Sequence, residues 1–326
     1  MSKARVGFLG TGWIGRHRME AALATGAIEA VAVCDPSPEC AEEAAKLAPD
    51  AKLLPSFEAL LDEPLDGLVI ATPSALHAAQ SIAALERGIA VFCQKPLGRD
   101  AAEAQAVVAA AKQADRLLSV DFSYRYTAAA QAIAERVRSG ELGQLFAADL
   151  VFHNAYGPDK PWFYDRAQSG GGCVMDLGVH LVDLLLWLLD FPEVTNVSSA
   201  LLAGGAPVPA DGVEDYAVAQ LTLASGLVAR LACSWRLQAG QEAVIEASVY
   251  GTGGGASLRN VGGSFYDFEA KRLAGTSSET LVSPPDGWGG RAVAAWAEQL
   301  AQDRSFDASA ERLVDVAKVL DRIYAG

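Results

Sequence analysis

The sequence predicts an α/β protein of two domains. The first, residues 1–121, is a doubly wound parallel sheet; the second, residues 122–326, is an α+β domain with a large open, mainly antiparallel sheet. Three observations predict this. Through the first third, short runs that are apolar on both faces alternate with helical stretches, as in a parallel sheet covered on both sides. That alternation stops near Asp121. From Val194 to Phe268, apolar and polar residues alternate between Gly204-Gly205, Gly253-Gly254-Gly255 and Gly262-Gly263, the pattern of hairpin-linked antiparallel strands.

The elements follow in order. Arg5 to Gly10 is a short apolar strand ending in glycine, and Trp13 to Ala24 a helix closed by Gly26. Ala30 to Cys34 is a buried strand, and Pro38 to Ala48 a helix with proline in its first turn. Ser56 caps a short helix ending near Leu61, and Gly67 to Ala71 is a strand. Leu76 to Arg87 is a helix that Gly88 stops; Ala90 to Cys93 is a strand. Asp100 and Glu103 have capping-box spacing and open a helix to Ala114, after which Leu117 to Val120 closes the series. Beyond it, Thr127 to Ser139 reads as a helix, Leu145 to His153 as a strand, and Cys173 to Leu189 as a helix. An aromatic loop with Tyr156, Trp162, Phe163 and Tyr164 separates the last two. Helices near Trp288 to Asp303 and Ala308 to Tyr324 finish the chain.

Composition narrows the function. A net charge of −14 without a basic stripe argues against nucleic acid as a partner. The five cysteines are scattered and lack a C-x-x-C pair, so small buried thiols are expected rather than disulfides or zinc ligands. Leu181 to Phe191, the most apolar stretch, contains Asp183 and Asp190 and is too short to span a bilayer. With no targeting segment apparent, the expectation is a cytoplasmic protein without a membrane partner.

Gly10-Thr11-Gly12-Trp13-Ile14-Gly15 is a G-x-G-x-x-G lying directly between a strand and a helix. Gly10 permits the tight turn, Gly12 lets a pyrophosphate approach the backbone, and Gly15 lets helix and strand pack closely. The helix N-terminus then receives the phosphates. Asp35 ends the second strand twenty residues after Gly15, placed to accept hydrogen bonds from a ribose. It would repel a 2′-phosphate, and no arginine beside it would bind one, so NAD is favoured over NADP. Thr72, Pro73 and His77, and Lys95 with Pro96, fall at the carboxyl ends of parallel strands, where ligands bind in such sheets. For His77 the residues leave a helix cap, a solvated group and a functional one equally open. A lysine facing a cofactor cleft can stabilise a developing alkoxide; at a strand end it can equally be a solvated charge.

The densest chemistry lies between Gly170 and Asp183. Asp176, His180 and Asp183 are spaced i, i+4 and i+7 on one side of an otherwise apolar helix. Histidine is suited to take a proton near neutral pH, and an aspartate one turn away can orient it. A buried Asp–His pair holding the helix in place is the competing reading. Gly178, mid-helix, implies a close approach by another group. No third nitrogen or sulfur ligand lies nearby, so no metal is expected.

These motifs together resemble the Gfo/Idh/MocA oxidoreductases: the glycine fingerprint, Ala71-Thr72-Pro73 with His77, Lys95-Pro96, and Gly171-Gly172…Asp176-x-Gly178-x-His180-x-x-Asp183. The resemblance spans essentially the whole chain. It implies a Rossmann domain followed by an open-sheet domain that builds a homodimer or homotetramer. It further implies NAD(P)-dependent oxidation or reduction of a ring hydroxyl or keto group of a sugar or cyclic polyol. By position it makes Lys95, Asp176 and His180 the catalytic trio, with His180 the proton acceptor. Trp13, Ile14, Thr72, Pro73, His77 and Lys95 join the glycines and Asp35 at the cofactor. Arg125, in the segment after the last parallel strand, and Trp162 and Asp165 in the aromatic loop are candidates for substrate contact; each could instead be a packing or surface residue. Two alternatives stay open: an NAD-retaining glycoside hydrolase working through transient oxidation, and a non-catalytic cofactor-binding regulator. One residue departs from the family's usual Glu-Lys-Pro: Gln94 precedes Lys95, which removes a charge that would hold the lysine protonated.

Overall fold

Buried apolar runs separated by helices build a six-stranded sheet in the first half of the chain. Its strands are β1 (Ala4–Leu9), β2 (Ile28–Cys34), β3 (Lys52–Leu53), β4 (Gly67–Ile70), β5 (Ala90–Cys93) and β6 (Leu118–Val120). The helices between them are α1 (Trp13–Ala24), α2 (Pro38–Ala45), α3 (Phe57–Leu61), α4 (Ser74–Glu86) and α5 (Ala101–Ala114). The order β3-β2-β1-β4-β5-β6 is parallel throughout, with the change of direction between β1 and β4. Ligands bind beside such a switch point, at the carboxyl ends of the strands. Caps act where polar residues precede helices: Ser37, Ser56 and Asp100 accept the main-chain N–H three residues on. Glu103 completes its box one residue early, on the N–H of Arg99 at 2.7 Å.

This computed structural model describes residues 3–326 and divides into two units. One is the chain up to Asp121 together with Gly290–Val314; the other is Phe122–Gly289 with Asp315–Gly326. The return of Gly290–Val314 to the first unit departs from the expected 122–326 domain.

The second unit opens with a 3-10 turn (Ser123–Tyr126) and α6 (Ala128–Arg138), followed by β7 (Leu145–Asn154), α7 (Arg166–Ser169) and α8 (Val179–Leu188). Its remaining strands are β8 (Val194–Ala203), β9 (Ala206–Pro207), β10 (Tyr216–Leu223), β11 (Val228–Ser234), β12 (Ala243–Gly251), β13 (Gly254–Asn260), β14 (Phe268–Ala274) and β15 (Ser277–Val282). They form one sheet in the order β15-β14-β13-β12-β7-β11-β10-β8-β9. It is antiparallel except at its centre, where β7 and β11 run parallel. Period-two alternation decides which face is buried. Ala148, Leu150 and Phe152, Ala229 and Leu231, and Ile245 and Ala247 lie in the core, against which α6 and α8 pack. Asp149, Val151, Val218, Arg230 and Glu246 on the other face are half-buried or exposed. The helical run Arg166–Leu188 is long and apolar enough to cross a membrane by composition, but 83% of its apolar window is buried.

Helix α9 (Arg291–Gln302) has Ala292, Val293, Trp296, Ala297 and Leu300 buried, a stripe of helical period. Trp296 lies on Phe92 with ring centroids 5.7 Å apart, and Gly67 has no room for a Cβ beneath Trp296 and Leu300. The stripe thus covers the parallel sheet, which places α9 with the first unit. A 3-10 turn (Ala308–Glu311) leads into α10 (Arg312–Ala325). All five cysteines are free thiols; Cys173 and Cys233 lie with their Sγ atoms 3.8 Å apart.

Candidate active site

In the first unit the glycine turn is built as its spacing predicts. Gly10 has φ +79°, a conformation that side chains rarely adopt. A Cβ on Gly15 would run into the carbonyl of Gly10, whereas one on Gly12 would meet nothing within 4 Å. The turn is therefore open only at Gly12. No side chain caps α1, which leaves its first N–H groups available to an anion. Ile14 is half-buried and Trp13 is 60% exposed beside the turn. Both oxygens of Asp35 are engaged by main chain: its Oδ2 accepts the Thr11 N–H at 2.5 Å, and its Oδ1 accepts that of Ser37 at 2.8 Å. It ties the turn to the end of β2.

His77 does not present a nitrogen to a ligand. It is 1% exposed, with Nδ1 2.7 Å from the Pro96 carbonyl oxygen and Nε2 2.7 Å from that of Thr72. Burial, the largest influence, holds its pKa below the ordinary histidine value, and the two carbonyls oppose this. With both nitrogens engaged by main chain, it is a brace between the Thr72-Pro73 loop and the Lys95-Pro96 loop. Thr72 donates its hydroxyl to Gln80 at 2.7 Å, and Pro73 precedes the first turn of α4. Lys95 is half-buried, next to a cis Pro96. Gln94 donates its amide to Asp121, which also accepts Arg18 Nε at 2.5 Å. A carboxylate thus does stand beside residue 94, supplied by Asp121.

In the second unit, the segment expected as one regular helix begins with a π-helical turn over Val174–Gly178 and becomes α-helical at Val179. Such turns are rare and are often found at functional sites. Asp176 lies inside the turn and His180 just after it, both half-buried, while the apolar residues Val174, Met175, Leu177, Val179, Leu181 and Val182 are all buried. The His180 ring meets Tyr124 edge-on at 4.9 Å and tilts over Phe152 at 6.2 Å. Burial, with the Asp176 charge second, pushes the Tyr124 phenol well above its ordinary value and keeps it protonated. Asp176 Oδ2 accepts the indole N–H of Trp235 at 3.0 Å.

Asp183 does not join Asp176 and His180. It is 2% exposed and forms a two-pronged pair with Arg125, whose Nε donates to Oδ2 at 2.8 Å and whose Nη2 donates to Oδ1. Arg125, expected at the substrate, is committed to this pair and to the Phe122 and Phe191 rings. Fixing the 3-10 turn to α8 accounts for both residues. Asp165 is likewise a cap, accepting from Ala167 N at 3.0 Å and the Gln168 amide at 2.6 Å. Trp162 stacks on Phe163 at 3.8 Å. The close approach implied by Gly178 comes from the Cys233 thiol of β11.

Sequence reasoning missed the group that holds the π-turn. Glu214 is 2% exposed, and its Oε1 accepts Gly172 N at 2.9 Å, Val174 N at 2.9 Å and the Tyr324 hydroxyl at 2.8 Å. Burial pushes its pKa up, against those hydrogen bonds. Gly170 turns at φ +84°, Gly171 abuts the Tyr324 hydroxyl and Gly172 the Glu214 backbone, which explains three successive glycines. Glu214 and Tyr324 lie 42 and 152 residues from Gly172, so no local pattern connects either residue to the turn. Among the described residues no cluster of three metal-ligating side chains occurs.

Two family models match the chain: "Oxidoreductase family, NAD-binding Rossmann fold" over residues 4–122, and "GFO/IDH/MocA C-terminal domain" over residues 130–257. The chain is 29% identical to a 1,5-anhydro-D-fructose reductase of Ensifer adhaerens over 79% of its own length and 76% of that protein's. It is 33% identical to an inositol 2-dehydrogenase of Rhodococcus erythropolis over 68% of this chain and 62% of the relative. Among solved structures, a levoglucosan dehydrogenase in complex with NADH and levoglucosan superposes with a TM-score of 0.84 at 22% identity, covering 99% and 97% of the two chains.

Proposed function

Since this chain belongs to the GFO/IDH/MocA oxidoreductase family, an NAD(P)-dependent family that acts on CH–OH groups, we propose that it moves a hydride between NAD and a ring hydroxyl or keto carbon of a sugar or cyclic polyol. The observation that carries this reading is the half-buried pair Asp176 and His180 on a segment whose apolar residues are all buried. Polar groups placed so are costly unless a partner or a ligand uses them.

The residues present fit the dinucleotide. The open backbone at Gly12 and the uncapped N-terminus of α1 suit a pyrophosphate, and Asp35 without a neighbouring arginine favours NAD over NADP. When bound, NAD supplies the hydride acceptor or, reduced, the donor. His180 takes the hydroxyl proton during oxidation and returns it during reduction. Lys95 stabilises charge on the substrate oxygen, and Asp176 orients the substrate and the imidazole. In this reading Trp162 and the loop around it choose the sugar. The open face of the nine-stranded sheet supports a homodimer or homotetramer, which light scattering measures.

The test is a panel of sugars and polyols followed by NADH absorbance, with His180→Ala beside wild type. Net NADH formation from at least one substrate, lost in His180→Ala while NADH binding persists, is expected. Turnover near the wild-type level in that variant rejects the assignment, and aglycone release without NADH rejects the dehydrogenase.

A further inference from the structure

The aromatic loop and the catalytic segment meet at one side chain. Trp235, just beyond β11, is 3% exposed, and its indole N–H points at Asp176 Oδ2 from 59 residues away in the chain. An indole donates and never accepts, so it holds that oxygen as an acceptor and gives the carboxylate one orientation. Two rings of the loop contact the indole. Phe163 meets its ring edge-on at 6.3 Å and Tyr164 at 5.5 Å. Tyr164 in turn donates its hydroxyl to Pro158 O at 2.9 Å and receives Arg236 Nη2 at 3.0 Å. Arg236 adopts φ +58°, an unfavourable conformation for a residue with a side chain, and Gly157 has no room for a Cβ between Tyr164 and Arg236. The loop is thereby buttressed on the residue that follows the tryptophan.

We propose that Trp235 is a positioning residue: its N–H sets the Asp176 carboxylate, and the Phe163–Tyr164 edge of the loop sets the indole. Substrate docking against that loop is then transmitted to Asp176 through one hydrogen bond. This rests on the dehydrogenase reading above. A hydrogen bond to a charged acceptor contributes about 1.5–3 kcal/mol, equivalent to about 10- to 100-fold in rate.

Trp235→Phe keeps the ring and removes the donor. With the sugar or polyol that wild type oxidises, kcat is expected to fall about 10- to 100-fold while KM for NAD and the melting midpoint stay near wild type. In an Asp176→Ala background the same change is expected to cost little more, because the acceptor is already gone. A kcat within about twofold of wild type, or losses that multiply in the double variant, overturns the proposal. The contact has its own readout in the indole ¹H–¹⁵N resonance of Trp235, assigned by its loss in Trp235→Phe. Asp176→Ala, which removes the acceptor, is expected to move it, and an unmoved resonance also overturns the proposal. If wild type reduces NAD with no substrate while the resonance does move, the dehydrogenase reading has failed and the contact has not.

Discussion

Gln94 donates its side-chain amide to Asp121, a buried carboxylate that Arg18 also holds. One guanidinium therefore balances one carboxylate, and the amide supplies a donor where a second carboxylate would supply only charge. Gln94→Glu sets two carboxylates against Arg18 in a site where Asp121 is 2% exposed. The expected cost is about 1–3 kcal/mol, read as a melting midpoint lower by a few degrees. Asp121→Asn in the same background is expected to recover most of it. An unchanged midpoint in Gln94→Glu alone would contradict the pairing.

Gly12 and Gly15 separate cofactor binding from folding. A Cβ at Gly12 enters open space at a φ of −57°, which any residue tolerates. Gly12→Ala is expected to leave the melting midpoint alone and weaken NADH binding about tenfold or more, by occupying the approach of the pyrophosphate. Gly15→Ala forces helix α1 away from the Gly10 carbonyl, so it is expected to lower stability as well. Paired titration and melting experiments on the two variants decide the point; equal effects on both quantities would rule it out.

The Arg125–Asp183 pair is structural, and its two halves are unequal. Arg125→Ala strands a carboxylate whose pKa burial already pushes up, with the guanidinium as the chief opposing influence. A loss of about 3–5 kcal/mol is expected. Replacing both residues, with Arg125→Met and Asp183→Leu, removes the stranded charge and is expected to cost less than the single change. Denaturant unfolding of the three proteins orders them, and a double variant less stable than Arg125→Ala would refute this account.

Glu214 makes stability depend on pH in a definite direction. Burial, the largest influence, holds its folded pKa above the ordinary value of 4.5. As pH falls through the window between the raised value and 4.5, the folded protein takes up a proton that the unfolded chain does not yet bind. Folding gains stability on acidification through that window and loses it as pH rises. Glu214→Gln keeps the accepting oxygen for Gly172, Val174 and Tyr324 but cannot titrate. Wild type is therefore expected to gain in melting midpoint relative to Glu214→Gln as pH falls toward 4.5. A difference independent of pH would dispose of the argument.

The sequence by itself determined the parallel sheet, the glycine turn with Asp35, the alternating strands of the second unit and the segment carrying Asp176 and His180. These follow from periodicities and spacings within a few residues, since the backbone geometry of helices, strands and tight turns is local. Only the tertiary structure decided what the polar side chains do. It gave His77 to two carbonyls, Arg125 to Asp183, Asp165 to a helix end and Asp176 to Trp235. It also placed Glu214 under the π-turn and moved α9 into the first unit. Asp165 is an exposed cap whose partners lie two and three residues away; for the buried polar groups the physical reason is shared. A buried polar group must find its hydrogen-bond partner in space, and Arg125 and Asp183 lie 58 residues apart, so no local window contains the answer.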